Sequence, residues 1–322
     1  MTPVDSRTAR RAGPDQTAGG QGSGTQAGPR EAMYLKPLVP GMRWLLFTAA
    51  LLVLLAGLQL FVFTGRTGTF FAWTITNPLA AASLGAAYWA SVAIEALAGR
   101  QALWANARIA VPAVFVFTVL TLAVTLMHLG QFHLGSRFAT GTRIVTVAWI
   151  AIYVLVPLLM LIVLAMQAHA PGADPPRQGG LPAWIYVLLA GQAIVLLGFG
   201  VALFVVPGQA APLWPWKLTP LTAQATGAWL IALGVAAVQA LLERDVRRLR
   251  PAAVGYLLLA ALEAIALARY PGQFAWHSTA GTIYLIFLGS MLLTGAAALA
   301  RGLPTQARRR LAIARISRAG LA

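Results

Sequence analysis

Eight stretches of this chain, each about 20 residues long, are apolar almost from end to end, the length a helix needs to cross a hydrocarbon core of about 30 Å. A soluble domain could not hide so much apolar surface: 59% of the 322 residues are hydrophobic and only 10% are charged, against about 25% charged in soluble domains. Helices satisfy their own backbone in lipid, so the fold class expected is an all-α integral membrane protein. The predicted spans are 42–63, 78–98, 109–129, 143–167, 182–206, 220–242, 251–269 and 278–300. Around them lie a tail, 1–41, whose Gly, Pro, Gln, Ser and Thr content predicts disorder, a linker, 168–181, and a basic tail, 301–322. Arg10 and Arg11 belong to the first tail and not to an export signal, because the first apolar run starts some thirty residues later.

The runs fall into two related sets, 42–167 and 182–300. At an offset of 142, Pro78, Leu79, Ala81, Gly85 and Ala86 align with Pro220, Leu221, Ala223, Gly227 and Ala228, Arg108 aligns with Arg250, and Gly130–Phe132 aligns with Gly272–Phe274, "GQF" in both. A two-residue gap then brings Gly141 and Thr142 onto Gly281 and Thr282. Each set holds four predicted helices, an even number, so the sequence predicts two parallel four-helix repeats related by a half-turn about the membrane normal.

Asn77-Pro78 and Thr219-Pro220 each read as an N-cap followed by proline at the first helical position. Trp73, Trp214 and Trp216, just before these starts, are expected at the membrane interface with their indole N–H groups wet. Ala81 with Gly85, and Ala223 with Gly227, are small residues four apart, a spacing that lets helices approach closely. The two "GQF" segments read as turns; with the tryptophans, their Gln131 and Gln273 and the nearby His277 form a candidate outer-face site.

Within the spans, polar residues line up on helical faces. Thr118, Thr121, Thr125 and His128 share one face of the third helix, and Tyr256, Glu263 and Tyr270 one face of the seventh. The repeat offset aligns Thr121 with Glu263 and His128 with Tyr270, so the two stripes are expected to meet around a central cavity, with His128 or Thr121 as partner of Glu263. Glu263 lies about 9 Å below the end of its helix at 1.5 Å per residue, where a carboxylate costs on the order of 2.5 kcal/mol or more, so it is the foremost candidate binding residue. Glu95 is expected to reach the interface or pair with Arg100. His128, His133 and His277 have neither the spacing nor the acidic companions of a metal site, and no metal or cofactor is expected. Cysteine is absent, which excludes disulfides and thiolate-held metals.

No metalloprotease helix, Walker loop, nucleophile elbow or pair of intramembrane aspartates is present. The net charge of +16 reflects Lys and Arg outside the apolar runs, so it sets topology and does not signal nucleic-acid binding. With both termini in the cytoplasm, only Arg66, Arg137, Arg143, Lys217 and Arg269 of the 24 cations fall on the far side. The basic segment Arg308–Gly320 is expected to lie on anionic lipid. An Ala- and Arg-rich composition suggests a bacterial cytoplasmic membrane. Three function classes stay open: a carrier or channel for a small solute with its site between the repeats, an accessory or scaffold subunit of a larger complex or homo-oligomer, and a membrane enzyme acting on lipid-linked substrates. Orientation is testable because the chain lacks cysteine. Gln209→Cys and Gln273→Cys are each expected to react with an impermeant thiol reagent outside intact cells and Gln178→Cys is not; labelling of Gln178→Cys alone reverses the topology.

Overall fold

The computed structural model describes residues 34–177 and 179–302. The expected tail up to residue 33, Gln178 and the basic segment Arg308–Gly320 lie outside the described residues. Among these residues the structure is helical, with isolated bridges and no strand. Eight long helices follow one another: α1 (Pro40–Gly57), α2 (Pro78–Gly99), α3 (Val111–Met127), α4 (Thr140–His169), α5 (Ala183–Val205), α6 (Pro220–Glu243), α7 (Arg250–Arg269) and α8 (Thr279–Gly302).

Seven of them, α1 being extended by a π-helical turn to Val62, are long and apolar enough to cross a membrane. The other, α3, is apolar but has 17 residues, about 25 Å at 1.5 Å per residue and shorter than the predicted span of 109–129. At its start Arg108 is drawn into an ion cluster, described below, while at its end His128 leaves helical geometry (φ −115°, ψ 21°) and a one-turn 3₁₀ helix, Leu129–Gln131, takes over.

The helix starts follow local chemistry. The Asn77 side chain accepts from the backbone N–H groups of Leu79 (2.9 Å) and Ala80 (3.2 Å), and Thr219 Oγ1 accepts from Thr222 N–H (3.2 Å), so both Asn/Thr-Pro pairs cap their helices as the sequence predicts. Both "GQF" segments form single 3₁₀ turns that bury Phe132 and Phe274.

Packing follows from the small residues. α1 packs on α2 and α5 on α6; α2 also packs on α7, and α6 on α3; α3 contacts α4, and α7 contacts α8. The centre belongs to α2 and α6, which are mostly buried, whereas α4 and α8 are mostly exposed. Gly85 lies so close to α1's π turn that a Cβ would stand 2.5 Å from Phe61 N, and a Cβ on Gly227 would stand 2.7 Å from the Gly200 carbonyl oxygen. Ala81 and Ala223, one turn earlier, are wholly buried. Helices in lipid gain nothing from excluding water, so close backbone approach of this kind sets which helices pair.

The connections gather at two ends. At the terminal end, Lys36 N–H bonds Ala173 O (2.9 Å), Leu38 N–H bonds Ala102 O (2.9 Å), and the buried Gln167 side chain accepts from Val39 N–H and donates to Pro37 O. At the distal end, His133 N–H bonds Ala72 O (3.0 Å) and Ala275 N–H bonds Pro215 O (2.9 Å). Gly85→Val and Gly227→Val are each expected to destabilise the bundle by about 1–3 kcal/mol, seen as a lower melting temperature in detergent. Gly191→Ala, facing open space on α5, is the neutral control.

Candidate functional site

A cavity of about 750 Å³ opens beside α2 in the distal half of the bundle, its walls drawn from α2, α5, α6, α7 and α8. It exists because α5 and α8 meet only part of the way. Gln192 Nε2 donates to Ser290 Oγ and Thr294 Oγ1, both at 3.0 Å, and closes the seam midway along α5. Beyond that clamp Val195, Leu213 and Ile283 are exposed at the cavity's rim, so it opens on the side of the bundle between α5 and α8. Its lining is apolar and aromatic, with Phe199, Trp214, Trp229 and Tyr284, and its polar contributions come from Ser83, Thr226, Ser278, Thr279 and Glu263. Such a cavity has the size and character of a small-molecule site.

Glu263 is 5% exposed. Ser83 Oγ, from α2, donates to its Oε1 at 2.7 Å; Tyr284 stands beside the carboxyl group, and Oε2 is buried without a hydrogen bond of normal geometry. Ser83 and Tyr284 both serve the carboxyl group, while Oε2 makes no hydrogen bond of normal geometry in a setting where an unmatched polar atom is costly. The site thus has an apolar body and one strong acceptor.

Above it, at the distal end, a shallower vestibule of about 660 Å³ is lined by Trp214, Trp216, Lys217 and Gln273 among others, and shares Pro212, Trp214 and Pro215 with the Glu263 cavity. Trp214 is thus the layer between vestibule and cavity. Of the outer-face residues singled out from sequence, the vestibule unites Trp214, Trp216 and Gln273. Trp73 lies elsewhere, in a buried cluster with Phe71, Phe132 and Trp149, and Gln131 donates to His128 Nδ1. His277 is exposed and does not line the vestibule. The expectation of wet indoles is corrected for all three tryptophans: the Nε1 atoms of Trp73, Trp214 and Trp216 are buried without an acceptor. The rings pack on their neighbours instead, Trp214 against Trp216 at 5.1 Å and against Tyr284 at 5.6 Å.

The two polar stripes do not meet. Glu263 of α7 meets α2, where Ser83 takes the place predicted for His128 or Thr121, and the stripe of α3 meets α6 and α4. His128 Nε2 is bonded to Gln224 of α6, and Trp149 of α4 donates to Thr125 Oγ1 (3.1 Å). The reason lies in the packing order: α2 and α6 occupy the centre between α3 and α7. Thr118 and Thr125 bond carbonyls of their own helix, and Thr121 Oγ1 is buried without a partner. Tyr256 borders a void of only about 20 Å³, and Tyr270 bonds Thr64 and accepts from Arg269 (3.2 Å). His133 is wholly buried, bonded to Phe71 O (2.9 Å) and to Thr74 (2.9 Å), and burial lowers its pKa from the ordinary value. The described residues contain no cluster of three or more His, Asp or Glu arranged to hold a metal.

Glu95 neither reaches the interface nor pairs with Arg100. It is 2% exposed, accepts from Ser91 Oγ at 2.9 Å, and its Oε2 is unpaired. The sequence reading also missed an ion cluster at the terminal end. Arg108 grips Glu243 through Nε and through Nη2 (2.9 Å) and reaches Asp174 at 2.6 Å, while Arg248 bonds Glu243 (2.8 Å) and Pro175 O (2.7 Å). The hydrogen bond to Glu243 raises the Arg108 pKa against the opposing effect of burial. No local signal foretells pairs separated by 66 and 135 residues. Ser83 had a faint one, as a hydroxyl alone in a run of alanines.

No protein family, curated protein or solved structure matches this chain.

Removing one partner of a buried ion cluster leaves uncompensated charge. Glu243→Ala, which takes from Arg108 and the 2% exposed Arg248 the carboxylate they share and leaves them Asp174 and Asp245, is expected to cost about 3 kcal/mol, measured as a fall in melting temperature of the purified protein.

Proposed function

We propose that this chain is a carrier of the bacterial cytoplasmic membrane for small amphiphilic cations, with both termini cytoplasmic and its binding site at Glu263. The observation that carries the reading is the Glu263 cavity: about 750 Å³, apolar and aromatic, open to lipid at its rim, roofed from a vestibule by Trp214, and offering one buried carboxyl oxygen without a donor. A cation with an apolar body matches that combination, through the carboxyl group and the faces of Trp214, Trp229 and Tyr284. The cavity also uses α2 together with four helices of the second half, in keeping with a site between the repeats.

On this reading all eight helices cross the bilayer, α3 at the lower limit of length, as two parallel repeats. The packing order supports the duplication: α1–α2 corresponds to α5–α6, α2–α7 to α6–α3, and α3–α4 to α7–α8. So do the close approaches at Gly85 and Gly227 and the bonds His133 N–Ala72 O and Ala275 N–Pro215 O, at equivalent places in the two halves. The basic tail would rest on anionic lipid. A scaffold role would not account for a cavity with a half-satisfied carboxyl group.

Tetraphenylphosphonium and tetraphenylborate share shape and differ in the sign of charge. Titrated into the purified protein in lipid nanodiscs, with empty discs as blank, the cation is expected to bind one per chain and the anion not at all. Glu263→Gln, which keeps the shape of the side chain, is expected to weaken the cation at least tenfold, about 1.4 kcal/mol, with an unchanged melting temperature. Equal binding of both ions, or a Glu263→Gln protein that binds as wild type does, would refute the assignment.

A further inference from the structure

Glu95 lies in a second cavity, of about 240 Å³, between α1, α2, α3 and α4. Its chemistry repeats that of the first. Tyr88, Phe117, Trp149 and Tyr153 line it, and the Tyr88 and Tyr153 hydroxyl groups bond each other at 2.9 Å. Glu95 is buried, one oxygen held by Ser91 and the other without a donor. In both cavities a serine hydroxyl of α2 holds one oxygen of the glutamate. A lone carboxyl group buried among aromatic rings is costly unless something meets it, and among the described residues only Ser91 hydrogen-bonds Glu95.

The two cavities are adjacent. Trp229 lines the first, Tyr88 and Phe117 line the second, and the rings touch: Trp229 lies 4.9 Å from Tyr88 and 4.0 Å from Phe117, centroid to centroid. A single layer of rings separates them. Ser83 and Glu95 are 12 residues apart on α2, about 18 Å along the axis at 1.5 Å per residue, so the carboxyl groups stand at different depths, Glu263 towards the distal end and Glu95 towards the terminal end.

We propose that the Glu95 cavity is a second binding site for small organic ammonium ions, in series with the Glu263 cavity behind the ring layer of Tyr88, Phe117 and Trp229. The class of ligand rests on the reading of the Glu263 site given above; the existence of a second site does not. The smaller volume limits it to ligands such as 2-phenylethylammonium and excludes tetraphenylphosphonium.

Radiolabelled 2-phenylethylammonium, titrated into the full chain in nanodiscs, is expected to bind two per chain, only one of them displaced by tetraphenylphosphonium. In Glu95→Gln one site is expected to survive, fully displaced by tetraphenylphosphonium; in Glu263→Gln the survivor is expected to resist displacement. Undiminished tetraphenylphosphonium binding by Glu95→Gln reports that this variant is folded. A wild-type protein that binds one 2-phenylethylammonium, wholly displaced by tetraphenylphosphonium and unaffected by Glu95→Gln, overturns the second site and leaves the Glu263 site standing. Two bound 2-phenylethylammonium ions without any tetraphenylphosphonium binding would instead count against the larger site, and binding of neither probe overturns both.

Discussion

Backbone contact at Gly85 and Gly227 is the constraint from which the rest of the bundle follows. Each glycine receives main-chain atoms of the preceding long helix at a distance no side chain could share: Phe61 N and Leu60 C in one case, the Gly200 oxygen and Phe204 N in the other. In a bilayer a large apolar side chain is as well satisfied by lipid as by protein, so intimate contact is available only where side chains are missing. The two contacts bring α2 and α6 inward, and their remaining faces then meet α7 and α3. The cavities lie in the gaps this order leaves open, where α1 and α4, or α5 and α8, cover the inner helices incompletely.

Charge is distributed in the same spirit. The chain has only eight acidic residues. Three of them, Asp174, Glu243 and Asp245, surround Arg108 and Arg248 at the terminal end, joining the connection before α3, the one before α5 and the end of α6. Ionic groups there are paired and bonded to backbone as well, the condition under which buried charge is tolerated. Glu95 and Glu263 receive no such treatment. Each keeps one buried oxygen without a hydrogen bond of normal geometry, Glu95 beside Ser91 and Glu263 beside Ser83 and Tyr284.

Most of the fold was legible because it is written locally. Apolar runs, Asn77-Pro78 and Thr219-Pro220, and the small residues one turn apart place the helices to within a few residues. The ion cluster before α3 was not legible, since it pairs Arg108 with Glu243, 135 positions away. Glu263 stood out from sequence because a carboxyl group at that depth is costly whatever surrounds it. Its partner did not: the sequence offset that aligns Thr121 with Glu263 does not imply proximity, and α2 and α6 lie between α3 and α7. The tryptophans misled for a related reason, because a ring next to a helix start can turn to the interface or fold back onto its neighbours, and only the shape of the bundle decides.

One consequence of the arrangement concerns α2. Ser83, Leu84 and Ala87 form part of the wall of the larger cavity, and Tyr88 and Glu95, on the same helix, form part of the wall of the smaller one. The two chambers therefore have a rigid rod in common. A rotation or axial slide of that rod would alter both volumes in one movement and shift both serines relative to their surroundings.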